Sequence, residues 1–174
     1  MLNSSKWSTR FFYSALAQGA LIFVATIYLF VYGSLYLKPS PAMVIASGSA
    51  GTWLLVGYAF YILMAMYLGV TAFFYNLLEK NTGKQGKGYN LFSLAHFVLV
   101  NLGTTGITFL LMYAGYAGGA ALLPAAVGGG GLTQGQVHMQ ILGSLPLYAV
   151  ALLLMVSLGS FCGGVSYYLA FKKK

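Results

Sequence analysis

The chain has 174 residues, of which 59% are apolar and 6% charged. A soluble domain carries about 25% charged residues, so this composition excludes an ordinary globular domain and makes lipid the solvent for most side chains. The formal net charge is +8, from nine Lys or Arg and the single acid Glu79. The positive charges sit in short loops and tails, and no helix carries a basic stripe, so nucleic-acid binding is not expected.

Residues Met1 to Arg10 are polar and carry Lys6 and Arg10. The apolar run from Phe11 to Leu37 is too long for a signal-peptide core and lacks a clear small-residue cleavage site, which predicts a retained signal-anchor helix. Lys38, Pro39 and Pro41 end it, because proline lacks the amide and clashes with the preceding turn. A second span is predicted over about 51–78. A basic, glycine-containing loop, Glu79 to Gly88, follows with Lys80, Lys84 and Lys87. A third span covers about 89–116. The uncharged segment Ala117 to Val137 contains Pro124 and the run Gly128 to Gly131, whose backbone entropy predicts a loop. The fourth span covers about 138–171, with a kink or tilted start expected at Pro146. Lys172, Lys173 and Lys174 close the sequence.

The two tails and the 79–88 loop hold eight of the nine positive residues, and Lys38 is the ninth. Short loops rich in Lys and Arg stay on the cytoplasmic side. The predicted fold is therefore an all-α membrane protein, one domain over 1–174. It is a bundle of four transmembrane helices in the cell or inner membrane, with both termini cytoplasmic. Trp7, Tyr36, Trp53, Tyr89 and Tyr168 lie near span ends and are expected as interfacial anchors. The single cysteine, Cys162, lies inside the last span and is expected to pack as a small residue.

The stretch Thr52 to Gly119 carries a family resemblance. Thr52-Trp53-Leu54-Leu55-Val56-Gly57-Tyr58-Ala59-Phe60-Tyr61-Ile62-Leu63 resembles the Thr-Tyr-Tyr-Val-Val-Ala-His-Phe-His-Tyr-Val-Leu pattern of helix ten in subunit I of heme-copper oxidases. Gly69, Phe73-Phe74-Tyr75 and Thr82-Gly83 follow in the family's order. His96-Phe97-Val98-Leu99 and Gly115-Tyr116-Ala117-Gly118 are similar to the start and end of helix eleven, and Ser157-Leu158-Gly159-Ser160-Phe161 to a segment of helix twelve. The resemblance implies that the chain corresponds to helices nine to twelve. In that family the two histidines of helix ten ligate heme iron. Tyr58 and Phe60 stand at those positions, and phenylalanine has no atom that can bind iron. Within the resemblance, His96 matches a histidine that is not a ligand.

His96 and His138 are the two imidazoles of the chain. Helix rise puts roughly 25 Å between them across a membrane, so they cannot share one heme or metal ion. Each remains an alternative cofactor ligand if a partner subunit supplies the second. Glu79 is expected in the loop, paired with a lysine, rather than as a proton relay. Asn101, Thr71 and other polar groups at depth are expected to hydrogen-bond across helices. Thr104, Thr105 and Thr108 fall on neighbouring faces and are candidates for packing or for lining a quinone pocket. Tyr58, Phe60 and Gly159 are further packing candidates. No Ser–His–Asp set, carboxylate pair, phosphate-binding loop or zinc spacing is present, so no catalytic residue and no metal site is assigned.

The expectation is a chain that is not an enzyme on its own. It reads as a non-catalytic accessory subunit of a membrane respiratory complex, a terminal oxidase or supercomplex. Its partners would be heme-bearing oxidase subunits and bound lipids, with no cofactor of its own. The alternative is a heme b or quinone-binding electron-transfer subunit, with the cofactor at an interface with a partner. A transporter is disfavoured, because no acid lies inside the bilayer.

Overall fold

The computed structural model describes residues 7–82 and 86–172. Residues 1–6, 83–85 and 173–174, which carry part of the charge count above, lie outside the described residues. The described chain is helical almost throughout. Four helices are long and apolar enough to cross a membrane: α1 (Trp7–Tyr36), α3 (Thr52–Thr82), α4 (Lys87–Leu122) and α6 (Leu145–Phe171). Two short helices, α2 (Pro41–Ala46) and α5 (Gln134–Val137), lie in the connections.

The connections have local causes. After α1, Leu37 is extended, and Ser40 caps α2 by accepting from the Met43 amide at 3.4 Å, with Pro41 at the first helical position. Gly48, at φ +68°, turns the chain toward α3. The predicted loop Ala117 to Val137 is helical at both ends: α4 continues to Leu122, and α5 begins at Gln134 behind a Thr133–Gln136 capping box. Between them the glycine run is ordered by hydrogen bonding. The amides of Gly129, Gly130, Gly131 and Leu132 donate to the carbonyls of Pro124, Ala120, Leu123 and Ala121 at 2.8–3.2 Å. The end of α4 would otherwise leave such carbonyls without partners in an apolar medium. At Gly129 a Cβ would lie 2.1 Å from the Leu123 carbonyl oxygen, so only glycine allows this fold-back. The fourth span is interrupted where Pro146 was expected to disturb it. A wide π-type turn, His138–Leu142, and two turn residues precede α6.

The residues form two compact units, and every long helix contributes to both. In the first unit (Met1–Gly19, Leu63–Thr104, Leu152–Lys174), α4 and α6 approach through glycine. A Cβ on Gly159 would meet Val100 at 2.8 Å, and one on Gly103 would meet Val156 at 2.9 Å. In the second unit (Ala20–Ile62, Thr105–Ala151), α3 and α4 come closer still. A Cβ on Gly115 would lie 2.0 Å from the Leu54 amide nitrogen, and one on Gly119 would lie 2.6 Å from the Gly51 Cα. Ala50, Ala121 and Val137 form a small core beside them, packed on by Leu122, Leu132, Ile141 and Leu142. Small residues let helix backbones approach where lipid removes the hydrophobic drive for association.

The buried positions of α3 are Leu54, Gly57, Tyr61, Met64, Leu68, Thr71, Tyr75 and Leu78, with Ala72 beside them. Their spacing alternates three and four, the periodicity of a heptad seam. Along α4, Tyr89, Ser93, His96, Val100, Gly103 and Ile107 repeat it, and along α6 so do Gly159, Gly163, Ser166 and Ala170. The outer faces of α1 and α6 are apolar and exposed, with Phe23, Leu35, Leu147 and Phe161 all at least 66% exposed.

Candidate functional site: a buried histidine–tyrosine cluster

The first unit holds a polar cluster built from three helices and roofed by a fourth. Seam positions on α3 supply Tyr75, those on α4 supply Ser93 and His96, and one on α6 supplies Ser166. Tyr67, one turn before Thr71 on α3, reaches in from the helix flank. The His96 imidazole is 2% exposed. Its Nε2 lies 2.8 Å from the Tyr67 hydroxyl, and its Nδ1 lies 3.1 Å from the Tyr75 hydroxyl. Tyr75 donates onward to Ser166 Oγ at 3.4 Å, and Ser166 shares a 2.7 Å bond with Ser93. With the Tyr75 proton committed to Ser166, a consistent assignment has Nδ1–H donating to Tyr75 and Nε2 accepting from Tyr67. The chain of five side chains is then satisfied from end to end, which an apolar surrounding requires.

Aromatic rings close the cluster. Phe11 of α1 stacks on Tyr75 and leans on His96, both with centroids 5.0 Å apart. Tyr167 lies 5.1 Å from Tyr75 on its other side. Gly163 makes room for the imidazole, since a Cβ there would lie 2.6 Å from Nδ1. An iron approaching Nε2 would have to displace the Tyr67 hydroxyl and open this packing. Tyr89 is 3% exposed, and its hydroxyl has no hydrogen-bond partner among the described residues.

At the 79–88 end of the same unit, Glu79 fastens the start of α1. Its two oxygens accept from the Trp7 amide and the Ser8 hydroxyl, each at 2.6 Å. A carboxylate at a helix amino end satisfies orphan amides and opposes the positive end of the dipole. The expected pairing of Glu79 in a loop is therefore corrected: it lies on α3 and binds α1. Trp7 also donates from Nε1 to Asn90 at 2.9 Å and is 6% exposed. Trp7 and Tyr89 are thus interior residues rather than interfacial anchors, whereas Tyr36, Trp53 and Tyr168 are exposed. Deeper in, Ser14 of α1 donates to Asn101 of α4 at 2.5 Å.

The other residues singled out in the sequence are dispersed. In the second unit, Tyr58 is half-buried, bonded to Thr26 at 2.7 Å and edge-on to Phe30, whereas Phe60 is 49% exposed. Thr108 is buried and donates to the Thr105 carbonyl at 2.9 Å; Thr105 itself is half-buried. Thr104 is half-buried in the first unit, where Gly159 faces Val100. His138 is exposed and lines a cleft of about 630 Å³ in the second unit with Thr52, Trp53 and Gln134. Among the described residues, no three of His, Cys, Asp and Glu come together as a metal-holding group.

Sequence reasoning weighed His96 but missed its companions Phe11, Tyr67, Ser93 and Ser166. The available signal was the three–four spacing, which places Ser93 with His96 and Gly163 with Ser166 on their respective seams. Chemically, the cluster is a set of donors and acceptors bonded to one another, with Tyr67 at its exposed edge. It ties α3, α4 and α6 together, with Phe11 of α1 packed over it, and contains no carboxylate. No family model, no curated protein and no solved structure matches the chain.

Proposed function

We propose that the protein is a non-catalytic accessory subunit of a membrane complex, held in the cell or inner membrane with both termini cytoplasmic. The observation that carries this reading is the division of labour between side chains. The polar groups of the His96 cluster are spent on one another, and the outer faces of α1 and α6 are apolar and open. Such a chain packs against lipid and larger subunits rather than transforming a substrate. The orientation is supported by the lysines that cluster at the 79–88 loop and the two tails.

The resemblance of Thr52 to Gly119 to heme-copper oxidase subunit I makes a respiratory terminal oxidase or supercomplex the proposed setting. Heme-bearing subunits are then the proposed partners. Tyr58 is bonded to Thr26 and Phe60 faces outward, which supports a chain without a heme of its own. Extraction from native membrane in mild detergent is the test. Heme-bearing subunits should co-purify with the chain, and the isolated chain should show no Soret band. A stable monomer carrying its own heme would overturn the reading.

One observation favours the alternative, an electron-transfer subunit with a quinone or heme at an interface. His138 is the exposed imidazole, and its cleft also holds the Thr52 hydroxyl and the Gln134 amide. His138→Ala should then abolish a redox spectrum of the purified complex. An unchanged spectrum and turnover would leave the accessory reading alone.

A further inference from the structure

Two clefts flank the end of α6 in the first unit. One, of about 550 Å³, lies between α3 and α6 and is walled by Phe74, Leu77, Leu78, Tyr167 and Phe171, with Asn81 as its one polar side chain besides the tyrosine hydroxyl. The other, of about 350 Å³, lies between α6 and the start of α4, and Lys87 and Lys172 both line it. Lys172 follows Phe171 directly, so an apolar wall passes into a cationic one across a single peptide bond. Glu79, the one acidic side chain in the sequence, lines neither cleft, and its oxygens accept from Trp7 and Ser8.

An apolar cleft and a cleft that carries two cations, both beside the end of α6, together fit an amphiphile with an anionic head. We propose that this corner holds an anionic phospholipid, with an acyl chain along the α3–α6 cleft and the phosphate between Lys87 and Lys172. Burying methylenes favours the tail, and each lysine near an anionic lipid surface adds affinity of about fivefold. A neutral lipid would gain the first term without the second. The proposal rests on placement in a membrane and on no partner subunit, so it stands or falls independently of the accessory-subunit reading.

The test uses the full chain, delipidated in neutral detergent and titrated with phosphatidylglycerol or phosphatidylcholine of identical chains, with bound lipid counted by native mass spectrometry. Phosphatidylglycerol should be retained at least about tenfold more tightly. Lys87→Gln and Lys172→Gln should each lower that preference about fivefold. Lys80→Gln removes the same charge from α3 but lines neither cleft, and it should leave the preference within about twofold. Leu77→Trp, which fills the apolar cleft, should weaken both lipids alike. All four positions are exposed, so these changes spare the buried seam. Equal retention of the two lipids would overturn the proposal. So would an effect of Lys80→Gln as large as that of Lys87→Gln, which would mean diffuse attraction. Displacement of phosphatidylglycerol by millimolar inorganic phosphate, or no effect of Leu77→Trp, would show that the tail is not held.

Discussion

The residue that concentrates the first unit's polar chemistry is His96. Both ring nitrogens are bonded inside the protein, so its removal takes the acceptor from Tyr67 and one of two bonds from Tyr75, which keeps Ser166. His96→Phe keeps the ring and loses both hydrogen bonds. At about 0.6–1.7 kcal/mol for each interhelical bond in a membrane, it should cost about 1–3 kcal/mol in an SDS-unfolding titration. Gly163→Ala tests the same pocket by volume. Its methyl would lie 2.6 Å from Nδ1 and must push the imidazole aside, at a cost of about 1–3 kcal/mol for overpacking. Gly164→Ala, where a Cβ meets nothing within 4 Å, should be neutral or gain up to about 1 kcal/mol from helix propensity. Equal effects at 163 and 164 would contradict the packing described. Glu79 offers a separate readout. Glu79→Gln keeps the shape but removes the charge that faces the amino end of α1, and should cost about 1 kcal/mol. Hydrogen exchange should rise in the first turn of α1 and stay unchanged around His96.

Element scale is governed by how closely backbones meet. The α3–α4 approach at Gly115 is backbone to backbone, because the nearest atoms to an added Cβ are the Leu54 amide and Cα, at 2.0 and 2.6 Å. No rotamer change relieves that collision. Gly115→Ala should therefore separate the helices and cost more than Gly163→Ala, whose obstacle is a side chain. A Gly115→Ala variant as stable as the parent protein would mean the two helices do not meet there. Within α1, a wide π-type stretch, Ile27–Tyr32, follows Thr26, whose hydroxyl bonds both the Ile22 carbonyl and Tyr58. From within it, Tyr28 stacks on Tyr32 at 5.5 Å and Tyr32 meets Tyr36 at a tilt at 4.9 Å, all three exposed. Rings of this kind are amphipathic and favour the bilayer boundary. They extend the anchoring role expected of Tyr36 into a three-residue ladder.

For the molecule as a whole, the topology proposed from the charge distribution can be tested. In a Cys162→Ser background, Lys80→Cys should react with an impermeant thiol reagent only from the cytoplasmic side. Gln134→Cys should react only from the opposite side. The reverse pattern would invert the orientation and remove the charge argument for it. The same scale shows how far the sequence reached. Four spans were legible because a run of apolar residues long enough to cross a bilayer needs no tertiary partner to be recognised. The break before α6 was legible because Pro146 acts locally. The ends of the spans were less so. Ala117 to Leu122 looks like the start of a glycine-rich loop, yet it remains helical because the following glycines fold back and bond its last carbonyls.

Composition and charge order by themselves determined that this is a helical protein made for lipid, with eight of its nine basic residues at one set of loops and tails. These are sums over many residues and survive any rearrangement of contacts. Only the tertiary structure decided that Glu79 serves α1, that Trp7 and Tyr89 turn inward, and that His96 sits between two tyrosines. Each of those facts depends on groups from different helices packing or hydrogen-bonding together. Hydropathy carries no record of such meetings. The three–four spacing of buried residues was present in the sequence, but apolar residues on the outer faces of the same helices hide it, because in a membrane both faces are apolar.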